Sequence, residues 1–396
     1  MDNILPLQNI TVIEFTHMLM GPTVGVVLAD LGANVIKVEP IGGDKTRTLK
    51  GSGAGYFSMY NRNKKSISVD IKSEQGFEVI SKLIDKADVM IENFRPGAMD
   101  KLGLGYEQLK LTNPRLIYCS LKGFLSGPYQ HRTALDEVVQ MMGGLAYMTG
   151  LPDRPMRAGS SVIDITGGMF GVIGILAAME RRHATGVGEQ ITSSLFETTA
   201  FMVGQHMAQE SVTGEAPPPM SVRRSAWSIY DIFRSKDDER VFVGVVSDAL
   251  WKLFCKEFEL VEFAADSSLD KNNDRVTQRD RILAVVEPLF ANMSTEEMMR
   301  RLDNAGIPFA PINAPSDLFD DEHLLNSGGL LELTLQTGEN AGQKTKLPTL
   351  PIEVGGQKCQ LRHDLPRIGE HAESILEELG YTSEQITEMK QLGSIG

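Results

Sequence analysis

The sequence predicts an α/β protein, with a parallel, doubly wound sheet in its first half and a smaller α+β domain after it. Apolar runs of strand length alternate with helical patterns at the start of the chain, as the strands and crossover helices of a parallel sheet do. Consecutive prolines within residues 214–219 mark a boundary. Beyond this boundary the pattern changes to a hairpin followed by helices.

The predicted strands of the first half are short, apolar and separated by helix or loop signals. They lie at residues 10–15, 34–38, 66–69, 89–91 and 116–120. The first helix starts at Gly21-Pro22, because proline is tolerated in a first turn, and it ends at Gly32. Ser73 is the predicted N-cap of a second helix over residues 76–86. Further helices are predicted at 136–147, 167–183 and 194–210, with a strand at 189–192.

The smaller domain begins with a predicted hairpin formed by residues 229–234 and 241–246. Helices follow at 249–258 and 279–290, and a capping box of Ser294 and Glu297 starts another. Near the end of the chain, residues 370–390 contain two helical pieces, and Thr382 with Gln385 caps the second.

The 396-residue chain carries a formal net charge of −13, with 42% hydrophobic and 23% charged residues. This composition is typical of a folded globular protein, and so acidic a chain is expected to bind neither nucleic acid nor an anionic membrane unaided. Residues 1–6 show no signal peptide, and the most apolar stretch, 169–179, is too short to span a bilayer. Cys119, Cys255 and Cys359 fit neither a disulfide framework nor a metal site. We therefore expect a cytoplasmic protein with reduced thiols.

The strongest candidate for chemistry is Asp164, which lies in an apolar setting just before Gly167 and Gly168 and a predicted helix. A carboxylate at a helix start is stabilised by the free N–H groups and the dipole there. The glycines let a ligand approach the backbone closely. Such a carboxylate can attack an activated acyl group and form a mixed anhydride. The alternative is a simple N-cap, because aspartate is preferred at that position.

The loop at residues 92–97 follows a predicted strand, and doubly wound sheets bind ligands at such strand ends. Arg95 is a candidate for binding a phosphate, and Asn93 for a hydrogen bond to a ligand. An ordinary strand-to-helix turn with an exposed arginine is the alternative.

Two other segments offer weaker candidates. His17 follows the first strand and is either a ligand contact or a structural histidine. Lys45 and Arg47 lie in a glycine-rich loop, residues 42–55, and suit either a phosphate tail or simple solvation.

Several well-known motifs are absent from the sequence. No GxGxxG follows the first strand, and there is no GxxxxGK[ST] loop, HExxH or GxSxG. The seven histidines are scattered without metal-ligand spacing, so no metal site is expected.

Taken together, these segments resemble the class III CoA-transferase family, which includes formyl-CoA transferase and L-carnitine CoA-transferase. The similarity covers nearly the whole chain. The segments that carry it are IEFTH (13–17), GP (21–22), LADLGANVIKVE (28–39), NRNKKS (61–66), ENFRPG (92–97), AGIP (305–308), PIN (311–313), GEH (369–371) and LGY (379–381).

The resemblance implies a large Rossmann-like domain built from both chain ends, residues 1–210 and 315–396. A small α+β domain, residues 220–314, is inserted between them, and two chains interlock as a homodimer. The family nucleophile matches Asp164, which attacks the donor acyl-CoA to give an aspartyl-acyl anhydride and CoA thiolate. The thiolate then forms an aspartyl-CoA thioester that the acceptor carboxylate attacks. CoA and acyl-CoA are substrates, and no tightly bound cofactor is implied.

The resemblance also implies a set of CoA-binding positions, to which Arg95 is added from its place after a strand. The predicted CoA-binding residues are His17, Met18, Leu19, Lys72, Asn93, Phe94, Arg95, Lys101, Lys122 and Gly123.

Two departures from formyl-CoA transferase bear on the substrate. An arginine of that enzyme is replaced here by Pro40, and its glycine-rich lid corresponds to residues 221–225, which contain no glycine. A small, oxalate-like acceptor is therefore disfavoured. Because arginine pairs with carboxylates, we expect a dicarboxylic acid of four to six carbons, such as succinate or a C5 acid. The predicted substrate-binding residues are Arg47, Arg157, Arg223 and Arg224.

Two alternatives stay open. The related α-methylacyl-CoA racemases use a histidine for proton transfer, and Leu135 occupies that position here, with His131 nearby but in a different place. Leucine cannot exchange a proton, which disfavours a racemase. The other alternative is a non-catalytic CoA-binding subunit, which would have no need of Asp164.

Overall fold

The computed structural model describes residues 5–223 and 225–396. The chain forms two compact units, one of residues 1–221 with 322–396 and one of residues 222–321. The first unit therefore contains both the first and the last described residues, 5 and 396.

The first unit is built on a six-stranded sheet in which neighbouring strands run parallel. The strands are β1 (Thr11–Phe15), β2 (Asn34–Glu39), β3 (Lys64–Ser68), β4 (Val89–Glu92), β5 (Ile117–Lys122) and β6 (Gln190–Ser194). Their order, β3-β2-β1-β4-β5-β6, is that of a doubly wound sheet in which the winding reverses between β1 and β4. The predicted α/β fold with a parallel, doubly wound sheet is confirmed.

Helices cover both faces of this sheet. They are α1 (Met20–Asp30), α2 (Tyr56–Tyr60), α3 (Glu74–Asp85), α4 (Ala98–Lys101), α5 (Tyr106–Thr112), α6 (Asp136–Met142), α7 (Leu145–Thr149), α8 (Val162–Thr185) and α9 (Leu195–Thr213). Side chains alternate between the faces of a strand, so Val12 and Ile13 of β1 are buried in two separate hydrophobic clusters. Ser73 caps α3 as predicted, because its Oγ accepts a hydrogen bond from the N–H of Gly76 at 3.0 Å.

Helix α8 starts earlier than the sequence pattern indicates and includes Asp164 in its first turn. Its 24 residues exceed the apolar stretch at 169–179, and by length and composition alone they suffice to cross a membrane, a test that core helices also pass. Gly167 and Gly168 bring its backbone against α1, since a Cβ on Gly168 would lie 2.8 Å from the carbonyl oxygen of Met20. The helix is thus packed into the core of the first unit.

The second unit combines an antiparallel sheet with helices. Its elements are β7 (Tyr230–Arg234), β8 (Arg240–Gly244), α10 (Asp248–Glu257), α11 (Val261–Ala265), α12 (Asn272–Thr277), α13 (Arg279–Ala291), α14 (Thr295–Asn304) and β9 (Phe309–Pro311), with strand order β7-β8-β9. The predicted hairpin is present as β7 and β8. Ser294 caps α14, and apolar side chains such as Phe254 and Phe290 form one core.

The C-terminal segment adds short elements to the first unit. They are α15 (Glu322–Asn326), β10 (Leu330–Thr334), β11 (Lys344–Pro348), β12 (Glu353–Val354), β13 (Gln357–Lys358), α16 (Ala372–Glu378) and α17 (Ser383–Gln391). Helices α16 and α17 are the two predicted helical pieces, and they bury Ile375 and Met389 in one of the clusters against the sheet. Short 3-10 turns lie at Lys45–Thr48, Gly51–Gly53, Ser267–Leu269 and Pro315–Phe319.

Candidate active site

The loops at the carboxyl ends of β1, β4 and β5 line a cavity of about 700 Å³ in the first unit. The winding of the sheet reverses at this edge, which is where doubly wound folds bind ligands. The predicted residues that line the cavity are His17, Met18, Leu19, Asn93, Phe94, Arg95, Lys122, Gly123, Arg157 and Asp164. The structure thus brings the predicted nucleophile together with all the predicted CoA-binding residues except Lys72 and Lys101.

Asp164 lies in the first turn of α8 and lines this cavity. Burial, together with the negative charge of Asp136, raises the pKa of the Asp164 carboxyl group from 3.8 to about 7, and the cation of Arg157 opposes the rise. At neutral pH the group therefore exists in both protonation states, and its ionised form is poorly solvated. A poorly solvated carboxylate is a better nucleophile than one in water.

The alternative interpretation of Asp164 as an N-cap is wrong. Ser161 occupies the N-cap position of α8 and makes no side-chain capping bond. The capping group is the carboxylate of Asp136, whose Oδ2 accepts hydrogen bonds from the N–H groups of Ile163 at 2.9 Å and Asp164 at 3.1 Å. Its Oδ1 accepts a further bond from the side-chain amide of Gln140 at 2.5 Å. Capping by Asp136 leaves the carboxylate of Asp164 available to the cavity.

Arg157 lines the cavity, but neighbouring groups engage its guanidinium. Nη1 donates to Glu137 Oε1 at 2.6 Å, Nη2 to Ser161 Oγ at 3.3 Å, and Nε to the carbonyl of Ala158 at 3.1 Å. These bonds hold the segment before α8 in place. Three of its five N–H donors are thus engaged, and the predicted contact of Arg157 with a substrate carboxylate stays a prediction.

Asn93 holds the turn between β1 and α1. Its Oδ1 accepts from the N–H of His17 at 3.1 Å, and its Nδ2 donates to the carbonyl of His17 at 2.8 Å. The next residue, Met18, has a left-handed φ of +62° and donates its N–H to Thr46 Oγ1 at 3.0 Å. The His17 ring contacts the Phe94 ring, with centroids 5.5 Å apart. Asn93 thus positions the turn through its side chain, a role that the sequence did not indicate.

Lys122 is held by Glu92. Its Nζ donates to both carboxylate oxygens of Glu92, at 2.7 and 2.8 Å, and to the carbonyl of Phe94 at 2.7 Å. These bonds use all three donors of the ammonium group. Glu92 is only 2% exposed and also accepts from Ser120 Oγ. The pair therefore fixes the Phe94 loop, and the charge of Lys122 is neutralised where a CoA phosphate was expected.

Three other predicted residues do not line the cavity. Lys72 and Lys101 are exposed, and their contacts with CoA stay predictions. Arg47 is buried, and its guanidinium donates to both oxygens of Glu39 at 2.8 and 2.6 Å and lies over the Phe57 ring at 3.8 Å. The predicted substrate contact of Arg47 is therefore corrected to a structural role, because a buried carboxylate already takes up its charge.

Of the remaining two predicted arginines, only Arg223 is described, and it belongs to the second unit. Arg223 places its guanidinium 5.8 Å from the centroid of the Tyr230 ring. Arg224 lies outside the described residues. Their contacts with a substrate carboxylate stay predictions.

Among the lining residues that the sequence analysis did not predict are Asp136 and Arg132. Asp136 gave a signal, because it starts a predicted helix where an acidic residue is favoured. The helix that it caps, however, begins at Val162, and Asp164 lies 28 residues after Asp136, so no sequence pattern indicates that pairing. Arg132 gave no signal, since it lies in an irregular polar connection.

The family model described as CoA-transferase family III matches residues 7–372, nearly the whole chain. The chain belongs to CoA-transferase family III. The resemblance found in the sequence is confirmed, and the chain is an enzyme of the CoA-transferase class. Enzymes of this class take CoA thioesters as substrates.

Relatives of known name match this family III chain over most of their length. Acetyl-CoA:oxalate CoA-transferase of Acetobacter aceti is 34% identical, over 94% of this chain and 95% of its own. Succinyl-CoA:glutarate CoA-transferase of Mus musculus is 31% identical, over 96% of this chain and 87% of its own. The crystal structure of a CAIB/BAIF family protein from Brucella suis has a TM-score of 0.81 and 33% identity, over 94% of this chain and 99% of that one.

Proposed function

We propose that this enzyme moves CoA between an acyl-CoA donor and a free dicarboxylic acid of four to six carbons, with Asp164 as the nucleophile. The observation that carries the proposal is the carboxylate of Asp164 in a cavity formed by three strand-end loops. Its pKa of about 7 reflects burial that also protects a reactive acyl intermediate from water.

The proposed reaction needs no group other than the two substrates and this carboxylate. An oxygen of Asp164 attacks the thioester carbonyl of the donor, which forms an anhydride, breaks the carbon–sulfur bond and releases CoA thiolate. The thiolate attacks the aspartyl carbonyl, which gives an aspartyl-CoA thioester and frees the donor acid as a carboxylate. The acceptor carboxylate then attacks this thioester, and the thiolate released attacks the acceptor acyl carbonyl. The new acyl-CoA leaves, and the carboxylate of Asp164 is restored.

Support for a dicarboxylic acid comes from the relatives, whose names specify oxalate and glutarate as substrates of those enzymes. The mesaconate and L-malate of two further relatives are also dicarboxylates. The family III chain shares 29–34% identity with these proteins. This similarity supports a dicarboxylic acid as the substrate class and does not single out one acid.

The experiment that tests the mechanism traps the intermediate. Asp164→Ala is expected to lower CoA exchange between succinyl-CoA and labelled succinate by about 10³-fold or more while the fold is retained. Hydroxylamine added during turnover is expected to convert Asp164 to a hydroxamate that mass spectrometry locates. The matched control is Asp153→Asn, at an exposed aspartate that does not line the cavity. Unchanged exchange in Asp164→Ala would remove Asp164 from the mechanism.

A racemase is the less favoured alternative. Leu135 lines the cavity at the position of the racemase histidine. Its side chain has no exchangeable proton. The discriminating measurement is deuterium uptake from solvent at the α-carbon of an acyl-CoA in the absence of any acceptor acid, and none is expected.

We also propose that the enzyme is a homodimer. Helices α8 and α9 present exposed apolar side chains, among which Phe201 and Val212 are 73% and 85% exposed. Large exposed apolar surfaces are typical of interaction sites, and the class III family implies an interlocked pair of chains. Light scattering is expected to give twice the chain mass, and Phe201→Glu is expected to shift the equilibrium toward the single chain.

A further inference from the structure

The cations that line the Asp164 cavity differ in what they already bind. Lys122 gives its three donors to Glu92 and Phe94, and Arg157 pairs with Glu137. In residues 5–223 and 225–396 no carboxylate pairs with the other two arginines that line the cavity. These are Arg95 and Arg132.

Arg132 is oriented by aromatic rings. Its guanidinium carbon lies 4.9 Å from the centroid of the Tyr129 ring and 5.9 Å from that of the Phe124 ring. Phe196 contacts both rings, with centroids 6.5 and 5.4 Å away. A guanidinium held against a ring face keeps its N–H edge for an anion, because the ring restricts its orientation without neutralising its charge.

The backbone around these rings is tied down. The N–H of Arg132 donates to the carbonyl of Tyr129 at 2.8 Å, and the N–H of Phe196 donates to the carbonyl of Gly123 at 2.9 Å. Phe124 is buried. Tyr129 is 46% exposed and Arg132 is exposed, so Phe124 and the two backbone bonds are what hold this arrangement in place. The rings still restrict the guanidinium more than solvent alone would, which lowers the ordering entropy lost on binding.

This arrangement is also connected to the nucleophile. Arg132 lies four residues before Asp136, and Asp136 caps the first turn of α8, where Asp164 lies. Arg95 differs in two ways. It borders a second cavity of about 220 Å³ that Asp164 does not line, and it lies over no aromatic ring in the described part of the chain. Arg132 borders the cavity that contains Asp164 and does not border the second one.

We infer that Arg132 binds the second, non-reacting carboxylate of the dicarboxylic substrate and so selects dicarboxylic over monocarboxylic acids. This inference rests on the proposed CoA transfer and names the side chain that sets its substrate class. A guanidinium gives two parallel N–H···O bonds to a carboxylate, and a substrate with a methyl group in that place cannot form them.

The test compares two acids of equal length, succinate and butyrate, which differ in one carboxylate. Exchange of each labelled acid with its own CoA thioester is measured for the wild type, Arg132→Gln and Arg132→Lys. The control variant is Arg181→Gln, at an exposed arginine outside the cavity. The dissociation constant of free CoA is measured by calorimetry for every variant, and circular dichroism verifies the fold.

Arg132→Gln is expected to lower kcat/KM for succinate exchange at least about tenfold, the effect of losing a charge-assisted pair. The ratio of succinate to butyrate exchange falls by the same factor, and the affinity for free CoA is retained. Arg132→Lys retains only part of the wild-type kcat/KM for succinate exchange, since lysine lacks the planar, two-pronged guanidinium group. Where butyrate exchange is too slow to measure in the wild type, loss of succinate exchange with unchanged CoA affinity supports the inference.

Two results would overturn it. Unchanged succinate exchange in Arg132→Gln excludes the contact. Equal loss for both acids with weaker CoA binding assigns Arg132 to a CoA phosphate. Failure of the proposed function is distinct, because the wild type would then exchange neither succinate nor any other acid.

Discussion

Asp136 caps the helix that carries Asp164, and one oxygen of its carboxylate, Oδ2, accepts the N–H of Asp164 itself at 3.1 Å. Two carboxylates therefore share one helix start, where the helix dipole favours negative charge. Asp136 uses the backbone donors, and its charge contributes to the raised pKa of Asp164. One acid is thus structural and the other is poised for chemistry.

The first prediction concerns the pH dependence of the reaction. Asp136→Asn removes a negative charge and keeps a side-chain oxygen for the cap. The pKa of Asp164 is expected to fall. The acidic limb of the kcat/KM profile, expected near pH 7 in the wild type, then moves to lower pH. Asp153→Asn, the exposed control, leaves the limb in place. A limb that stays near pH 7 in Asp136→Asn would show that the charge of Asp136 does not act on Asp164.

The second prediction concerns stability. The pKa of Asp164 is about 7 in the folded chain against 3.8 when unperturbed, so folding is opposed increasingly as the pH rises from about 4 to 7. Asp164→Asn removes this penalty. The free energy of unfolding of Asp164→Asn is expected to exceed that of the wild type by at least about 1 kcal/mol at pH 8 and by less at pH 5. Urea unfolding at both pH values checks the difference, and a gap that does not grow with pH contradicts it.

The third prediction separates a positioning role of Asn93 from a ligand contact. Asn93→Ala removes both bonds to the backbone of His17, so the turn after β1 loosens. The dissociation constant of CoA is expected to rise about tenfold, and amide hydrogen exchange at residues 17–20 to accelerate. Asn326→Ala, at an exposed site outside the cavity, is the control. Weaker CoA binding with unchanged exchange would instead indicate direct contact with the ligand.

The fourth prediction concerns Arg47. Arg47→Met leaves the buried carboxylate of Glu39 without its cation and is expected to cost about 3 kcal/mol of unfolding free energy. Arg181→Met, which breaks an exposed pair with Glu189, is expected to cost less than about 1 kcal/mol. Chemical denaturation measures both. A stable Arg47→Met variant with altered preference among acids would restore Arg47 as a substrate contact.

The strands of the first sheet and their parallel direction could be predicted, because mainly apolar runs such as residues 10–15 alternate with helices. The order of the strands in the sheet was not predicted. The ribbon of β10 and β11 was missed, since short, partly polar strands carry little periodicity. Asp164 was found from the residues around it in the sequence. Which cations are already paired with a carboxylate, and which can still bind a ligand, could not be predicted. Lys122 is neutralised by Glu92, 30 residues away, and local sequence does not contain such pairings. The cytoplasmic location stays a prediction.

The contact between Gly168 and the carbonyl of Met20 has a consequence for how this enzyme can evolve. Two main chains meet there, so a side chain at position 168 would force the helix of Asp164 away from the start of α1. New substrate preferences can therefore arise by replacing residues at the rim, while the reaction centre keeps its dimensions.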